Sequence, residues 1–367
     1  MDNDKIAWVS SRRNAALNQQ PLSQNLLLVF VFRPPRYEYA DAQKGKRGYN
    51  NRRMKYLFFD CECANCYDHA GKICSFGYLI CDENLKPLES KDIIINPDAP
   101  FDPHVLGVGP HSIDLAYTPL RFEVAEKFPF FFPTIKALLE DKDTLVLGYA
   151  IDNDVGFLLS ECERYGLAKP EFQYVDIQEI YRLYADYDRS PSLEGALKEM
   201  GLDSNGLEGH ESKDDAIMSM MLLGAIARKE NATVAELGER YPSSKGSVAL
   251  NELGRRISEI PRESAAAYDR EASRAFNDLI YKWVDDPLDD RLEGYGFLFS
   301  PSLRSDSKRA LELGKLVIGH RAYVVRNLRE ASYFVAYGEK EKKSLAPLFE
   351  GTEIALIDEE DLRSLLE

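Results

Sequence analysis

"YLFFDCECANCYDHAGKIC" (Tyr56–Cys74) packs four cysteines and four acidic or imidazole side chains into nineteen residues. Either the thiols of Cys61, Cys63, Cys66 and Cys74 form a metal site, or the carboxylates of Asp60 and Glu62 do and the cysteines pack. The apolar run up to Asp60 has strand character, and side chains alternate across a strand. Asp60 and Glu62 therefore share one face, with Cys61 on the other. A closed zinc site needs four thiolate or imidazole ligands, commonly from paired C-x2-C loops. Only Cys63 and Cys66 have that spacing, while Cys74 and Cys81 belong to the next apolar run. The carboxylates are thus expected to carry the chemistry and the thiols to pack. Two acids at a strand end suit a hard divalent cation bound through oxygen. Taken alone, Asp-x-Glu fits a solvated strand end equally well.

Outward from this stretch, "ICSFGYLIC" (Ile73–Cys81) and "DIIIN" (Asp92–Asn96) read as two further strands, which predicts an antiparallel meander. Thr134–Asp141 reads as a helix, Thr144–Tyr149 as a buried strand, and Asp154–Gly166 as a helix stopped by its glycine. "EFQYVDI" supplies a fifth strand, followed by helices around Gln178–Ala185 and Ser192–Met200 and a strongly apolar helix over Asp214–Lys229. Three meander strands and then alternating helix and strand predict an α/β sheet of mixed direction. Residues 230–293 turn helical and charged and are expected as a helical linker or small bundle. From Tyr295 onward, the order strand, helix, strand, strand, helix, strand, helix predicts a small, largely parallel α/β sheet.

Two more stretches hold acids in suggestive places. In "LGYAIDNDVGFLLSE", Asp154 opens a helix directly after a buried strand, which puts it at a sheet end. In "GHESKDDAIMSMM", His210 lies on a loop and Asp215 enters the most apolar helix of the region. A buried carboxylate without a partner is costly, and a shared cation is a suitable partner. Asp152 and Asp214 are neighbouring acids that compete for the same roles.

The ordered set of Asp-x-Glu, an Asp in a "G…D…FL" context, and His-x4-Asp resembles the DEDDh exonucleases, which include the proofreading epsilon subunit of DNA polymerase III. The resemblance covers roughly Met54–Arg228 and implies an RNase H-like fold. It implies 3′→5′ hydrolysis of nucleic-acid phosphodiesters, on DNA in replication or repair, with exoribonuclease or silent binding scaffold as the alternatives. In the family's terms Asp60, Glu62, Asp154 and Asp215 hold two divalent cations, Mg2+ or Mn2+, and His210 is the general base. Asp154 and Asp215, rather than Asp152 and Asp214, keep the family's spacing to the apolar run that follows. Cys63 falls where family members touch the terminal nucleotide, and Tyr149-Ala150 replaces their usual His-Asn.

Tyr295–Glu367 resembles a BRCT domain, most like those of bacterial NAD-dependent DNA ligases, through "GFLFSPSL", "ASYFVAYGEKEKKSLAPLFEG" and "EIALIDEEDLRSLL". That family implies binding to a DNA end or a partner protein, with Ser300 and Lys343 near a phosphate pocket. Pro301, however, has no N–H to offer a phosphate, and the family's tryptophan on the last helix is missing. A docking module without phosphate recognition is the competing expectation. Eleven basic against twelve acidic residues in this unit do not favour strong affinity for DNA.

The chain as a whole carries a net charge of −15. Its first 53 residues hold ten Lys/Arg against four Asp/Glu, a net of +6, which leaves −21 for Met54–Glu367. The basic segment reads as a disordered tail that touches nucleic acid or as sequence ahead of a true start at Met54. The second is preferred, because "MKYLFFD" begins directly on a strand. An acidic body excludes broad coating of nucleic acid, which needs basic surface to displace counterions; it fits local handling of one strand end. The apolar run Asn25–Phe32 is too short to span a bilayer, and six cysteines within Cys61–Cys162 do not make a dense secreted framework. A cytoplasmic protein without membrane contact is expected. Its plan is a tail at 1–53, a nuclease domain at 54–229, a linker at 230–293 and a BRCT-like domain at 294–367.

Overall fold

The apolar stretch ahead of Asp60 forms an inner strand of a six-stranded sheet. The computed structural model describes residues 54–366 apart from 68–69, 110–111, 188–189, 262–268, 283 and 285, so the basic segment 1–53 lies outside the described residues. β1 (Lys55–Cys63) runs antiparallel to β2 (Ile73–Cys81), and β2 runs antiparallel to β3 (Pro87–Ile94). The expected meander is present. Its outer strands are longer than the apolar runs suggested, because the hydrogen-bond ladder with β2 continues through the polar residues.

The short α1 (Pro119–Glu123) and α2 (Phe128–Leu139) follow. Phe128, Phe132, Ile135 and Leu139 recur at helical spacing and form the buried stripe of α2. This helix starts ahead of Thr134, since Pro129 is tolerated in a first turn, where the N–H has no intrahelical partner. β4 (Thr144–Gly148) lies parallel to β1. After α3 (Asp152–Tyr165), β5 (Gln173–Asp176) lies parallel to β4. The glycine stop of α3 is Gly166, whose left-handed φ of 63° lets its N–H reach the Cys162 and Glu163 carbonyls. α4 (Ile177–Tyr184), α5 (Leu193–Glu199), α6 (Ser212–Lys229) and α7 (Val234–Arg240) complete this part. The strand order β3-β2-β1-β4-β5, with β2 antiparallel to both neighbours, is that of an RNase H-like fold. β6 (Lys245–Ser247) adds antiparallel to β5. Part of the segment read as a linker is therefore built into the sheet.

Alternation divides β1 between two cores. Leu57, Phe59, Cys61 and Cys63 are buried with Phe132, Ile135, Val155 and Leu158 of α2 and α3. Tyr56 and Phe58 are buried with Leu222, Leu223 and Ile226 of α6. Each large apolar side chain buried is worth about 1.5–3 kcal/mol. A one-residue slip would forfeit several of these and turn Asp60 and Glu62 into the α2/α3 core. Register is thus what aims the two acids.

α8 (Val248–Glu259) and α9 (Arg270–Asn277) lead into the C-terminal unit. There β7 (Gly296–Phe299), α10 (Pro301–Ser305), α11 (Ser307–Gly319), β8 (Tyr323–Val324), β9 (Tyr333–Val335), α12 (Gly338–Phe349), β10 (Ala355–Ile357) and α13 (Glu359–Leu366) follow one another. Its four strands are all parallel, in the order β10-β9-β7-β8. α8 belongs to both cores: Val248 packs with the β1/α3 cluster, and Leu253 and Ile257 pack with Phe334, Leu345 and Phe349. Among the described residues no helix is long and apolar enough to cross a membrane.

Candidate active site

β1 places Asp60 opposite Gly77 and Glu62 opposite Ser75, and the ladder then slips between Glu62 and Cys63. A bulge of this kind re-aims side chains at a strand end. α6 begins against β2 at this point only because Gly77 lacks a side chain. A Cβ there would lie 2.0 Å from the Lys213 nitrogen and 2.1 Å from the Ser212 carbonyl carbon. The Ser75 and Ser212 hydroxyls bond to each other at the same crossing. The close approach starts α6 beside Asp60 and delivers Asp215, in its first turn, to β1.

The remaining groups converge on this end of the strand. Asp154, in the first turn of α3, is 5% exposed, and its Oδ1 accepts the Cys61 N–H at 3.1 Å. His210 Nδ1 lies 3.3 Å from Glu62 Oε1, and the His210 N–H donates to Asp215 Oδ2 at 3.0 Å. One ligand atom each from Glu62, His210 and Asp215 falls within 4.8 Å of the other two. The backbone is left-handed at His210 (φ 64°) and at Ala150 (φ 54°), which lies on the loop into α3. For a non-glycine residue that costs about 1–2 kcal/mol, and it persists where the surroundings enforce it.

Burial pushes Asp60 well above the ordinary carboxylate range, and the charges of Asp154, Glu62 and Asp215 push the same way. Burial likewise raises Asp154, against the pull of the Cys61 N–H. Asp215 is pushed up to about 7, by burial first and then by the Glu62 charge. His210 is raised by its hydrogen bond to Glu62. Four carboxyls crowded around one imidazole thus resist being ionised together unless a further positive charge joins them. An oxygen-rich set of donors fits a hard divalent cation, whose charge would offset both the burial and the mutual repulsion that raise these groups.

The two competing acids are engaged elsewhere. Asp152 accepts the Tyr174 hydroxyl at 2.6 Å and pairs with Arg329, and Asp214 Oδ2 accepts the Glu208 N–H at 3.0 Å. All six cysteines are free thiols, and among the described residues no cysteine joins a metal-competent cluster. Cys63, expected as a substrate contact, is 7% exposed in the α2/α3 core, on the face away from Asp60 and Glu62. In the C-terminal unit Ser300 is fully buried. Its hydroxyl donates to Glu341 Oε2 at 2.7 Å and accepts the Leu303 N–H at 3.1 Å as the cap of α10. Lys343 is exposed and paired with Glu339. Sequence reasoning gave no sign of Arg329 or Asp176, which meet at 3.1 Å although they are 153 residues apart. Only the tertiary fold brings that pair together.

A scan against protein-family models and a search of the curated proteins found no match. Solved structures do show similarity over half of the chain. The nuclease domain of 3′hExo, a DEDDh family member bound to rAMP, is 16% identical over 50% of this chain and 94% of its own, with a TM-score of 0.41. A 3′-exonuclease recognising the 3′ end of a histone mRNA stem-loop is 15% identical over 50% of this chain and 85% of its own, with a TM-score of 0.42. E. coli exonuclease I in complex with a dA16 oligonucleotide is 17% identical over 50% of this chain and 42% of its own, with a TM-score of 0.40. At these identities and TM-scores the functional reading rests on the site's own residues.

Proposed function

We propose that residues 54–229 form a metal-dependent exonuclease that removes nucleotides from the 3′ end of a DNA strand. The observation that carries this reading is the meeting of Asp60, Glu62, Asp154, Asp215 and His210 at one end of β1, with Asp152 and Asp214 bonded elsewhere. The four carboxylates would hold divalent cations, Mg2+ or Mn2+, which when bound supply Lewis-acid stabilisation of the attacking and leaving oxygens. With its Nδ1–H given to Glu62, His210 accepts the proton of the attacking water at Nε2. The water oxygen bonds to phosphorus, the P–O3′ bond breaks and the departing O3′ takes up a proton from solvent, so the products are a nucleoside 5′-monophosphate and a strand with a new 3′-hydroxyl.

We read the C-terminal unit as BRCT-like, a reading supported by its parallel β8-β7-β9-β10 sheet. The burial of Ser300 against Glu341 favours contact with a partner protein over a phosphate pocket. The test of the nuclease reading is incubation of the full chain with 5′-labelled single strands of DNA and RNA in Mg2+, Mn2+ or EDTA. Stepwise shortening from the 3′ end in either metal, none in EDTA, and preference for DNA are expected. Internal cleavage, or intact strands in both metals, would refute it; preference for RNA would move the substrate to RNA turnover.

A further inference from the structure

The loop Leu328–Glu330 of the C-terminal unit inserts Arg329 into the nuclease sheet, where its side chain is 8% exposed. Nη2 bonds Asp176 Oδ2 at 3.1 Å and also reaches Asp152, while Nη1 bonds the Ser244 carbonyl at 3.2 Å. Asp176 is the last residue of β5, and its other oxygen accepts the Ala150 N–H at 3.1 Å. Ala150 is the left-handed residue of the loop that enters α3, and Asp152 and Asp154 both stand in the first turn of that helix. A continuous set of hydrogen bonds thus runs from Arg329 through Asp176 to Ala150 and, by a second branch, directly to Asp152, two residues before a proposed metal ligand.

We propose that Arg329 is a positioning residue for the metal site: the C-terminal unit supplies the cation that fixes the segment 149–153, the loop into α3 and the helix's first residues, and so holds Asp154 against β1. The proposal rests on the metal-dependent reading given above. Its physical basis is charge. Asp152 and Asp176 face one guanidinium, and without it two carboxylates, one of them buried, would repel each other beneath a backbone already in a disfavoured conformation. The side chains that orient a metal ligand are worth roughly 10–100-fold in metal affinity. Arg182, at the same junction, serves as a control. It pairs with Glu179 at 2.6 Å, lies 3.9 Å from Glu330 and stacks over Tyr281, with no bond to the segment 149–153.

The experiment compares wild type, Arg329→Ala, Arg329→Lys and Arg182→Ala as full chains. Mn2+ affinity is read by calorimetry, and amide exchange of residues 149–155 is read without metal. Arg329→Ala should weaken Mn2+ binding roughly 10–100-fold and speed exchange in 149–155. Arg329→Lys should recover part of both, since it keeps the charge but not the forked geometry. Arg182→Ala should lower the melting temperature yet leave both readouts within about twofold of wild type. Equal Mn2+ affinity and exchange in wild type and both Arg329 variants would overturn the proposal, as would equal losses in Arg182→Ala. A wild type that binds no Mn2+ would instead refute the metal-site reading beneath it.

Discussion

Two acidic clusters share the first turn of α3, and they are solved in opposite ways. Asp152 and Asp176 receive a built-in cation, the guanidinium of Arg329. Two residues on, Asp154 faces Asp60, with Glu62 and Asp215 near, and the ion pairing of these four among the described residues is His210 with Glu62. Where charge serves the fold, the chain neutralises it from within. At the four acids no such cation is built in, and on the reading proposed above a cation from solution takes that place.

The contrast predicts opposite signs for neighbouring substitutions. Asp60→Ala or Asp154→Ala should abolish hydrolysis and, in EDTA, raise the melting temperature, because each removes a buried carboxyl set among other acids. Asp152→Asn should lower the melting temperature, by about 1 kcal/mol of stability given its partial exposure. A melting scan of the three in EDTA checks this; the same sign for Asp152→Asn and Asp154→Ala would erase the distinction between the clusters. His210→Ala should slow hydrolysis by about 10²–10⁴, the usual worth of a general base. Mn2+ affinity should hold in that variant, and its loss would make His210 a ligand instead.

Gly77→Ala tests how α6 reaches β1. A Cβ at that position meets Ser212 and Lys213 backbone, so overpacking should cost about 1–3 kcal/mol and displace Asp215. Denaturant unfolding together with an activity assay reads both effects. The smallest effect is on the pH dependence of stability. Burial and the Glu62 charge push Asp215 up to about 7 in the folded chain, and Asp60 and Asp154 are also raised, while unfolded carboxylates titrate near 4. Between those values the folded state binds more protons, so stability falls as pH rises. In EDTA the melting temperature should be higher near pH 5.5 than near pH 8. Mn2+ should add more at the upper pH.

Much of this was legible in the sequence for reasons that differ by region. The apolar run before Asp60 and the alternation through Cys63 show which face the acids share. Gly166 marks the end of α3, and the apolar body of α6 marks Asp215 as an acid entering a core. Strand ends were less legible, since β1 and β3 are extended by pairing with β2 rather than by their own composition. β6 escaped notice because three residues, Lys245–Ser247, hold no period to read. Arg329 could not be seen at all. It stands in an irregular loop of a unit that looked separable from the four acids, and its partners lie 153 and 177 residues away.

The most direct measurement is an anomalous difference map from crystals soaked in Mn2+. Density for the ion is expected among Asp60, Glu62, Asp154 and Asp215, and none at Asp152 and Asp176, where Arg329 already supplies the charge. An empty site at the four acids, or an ion bound at Asp152 and Asp176, would contradict this division of labour.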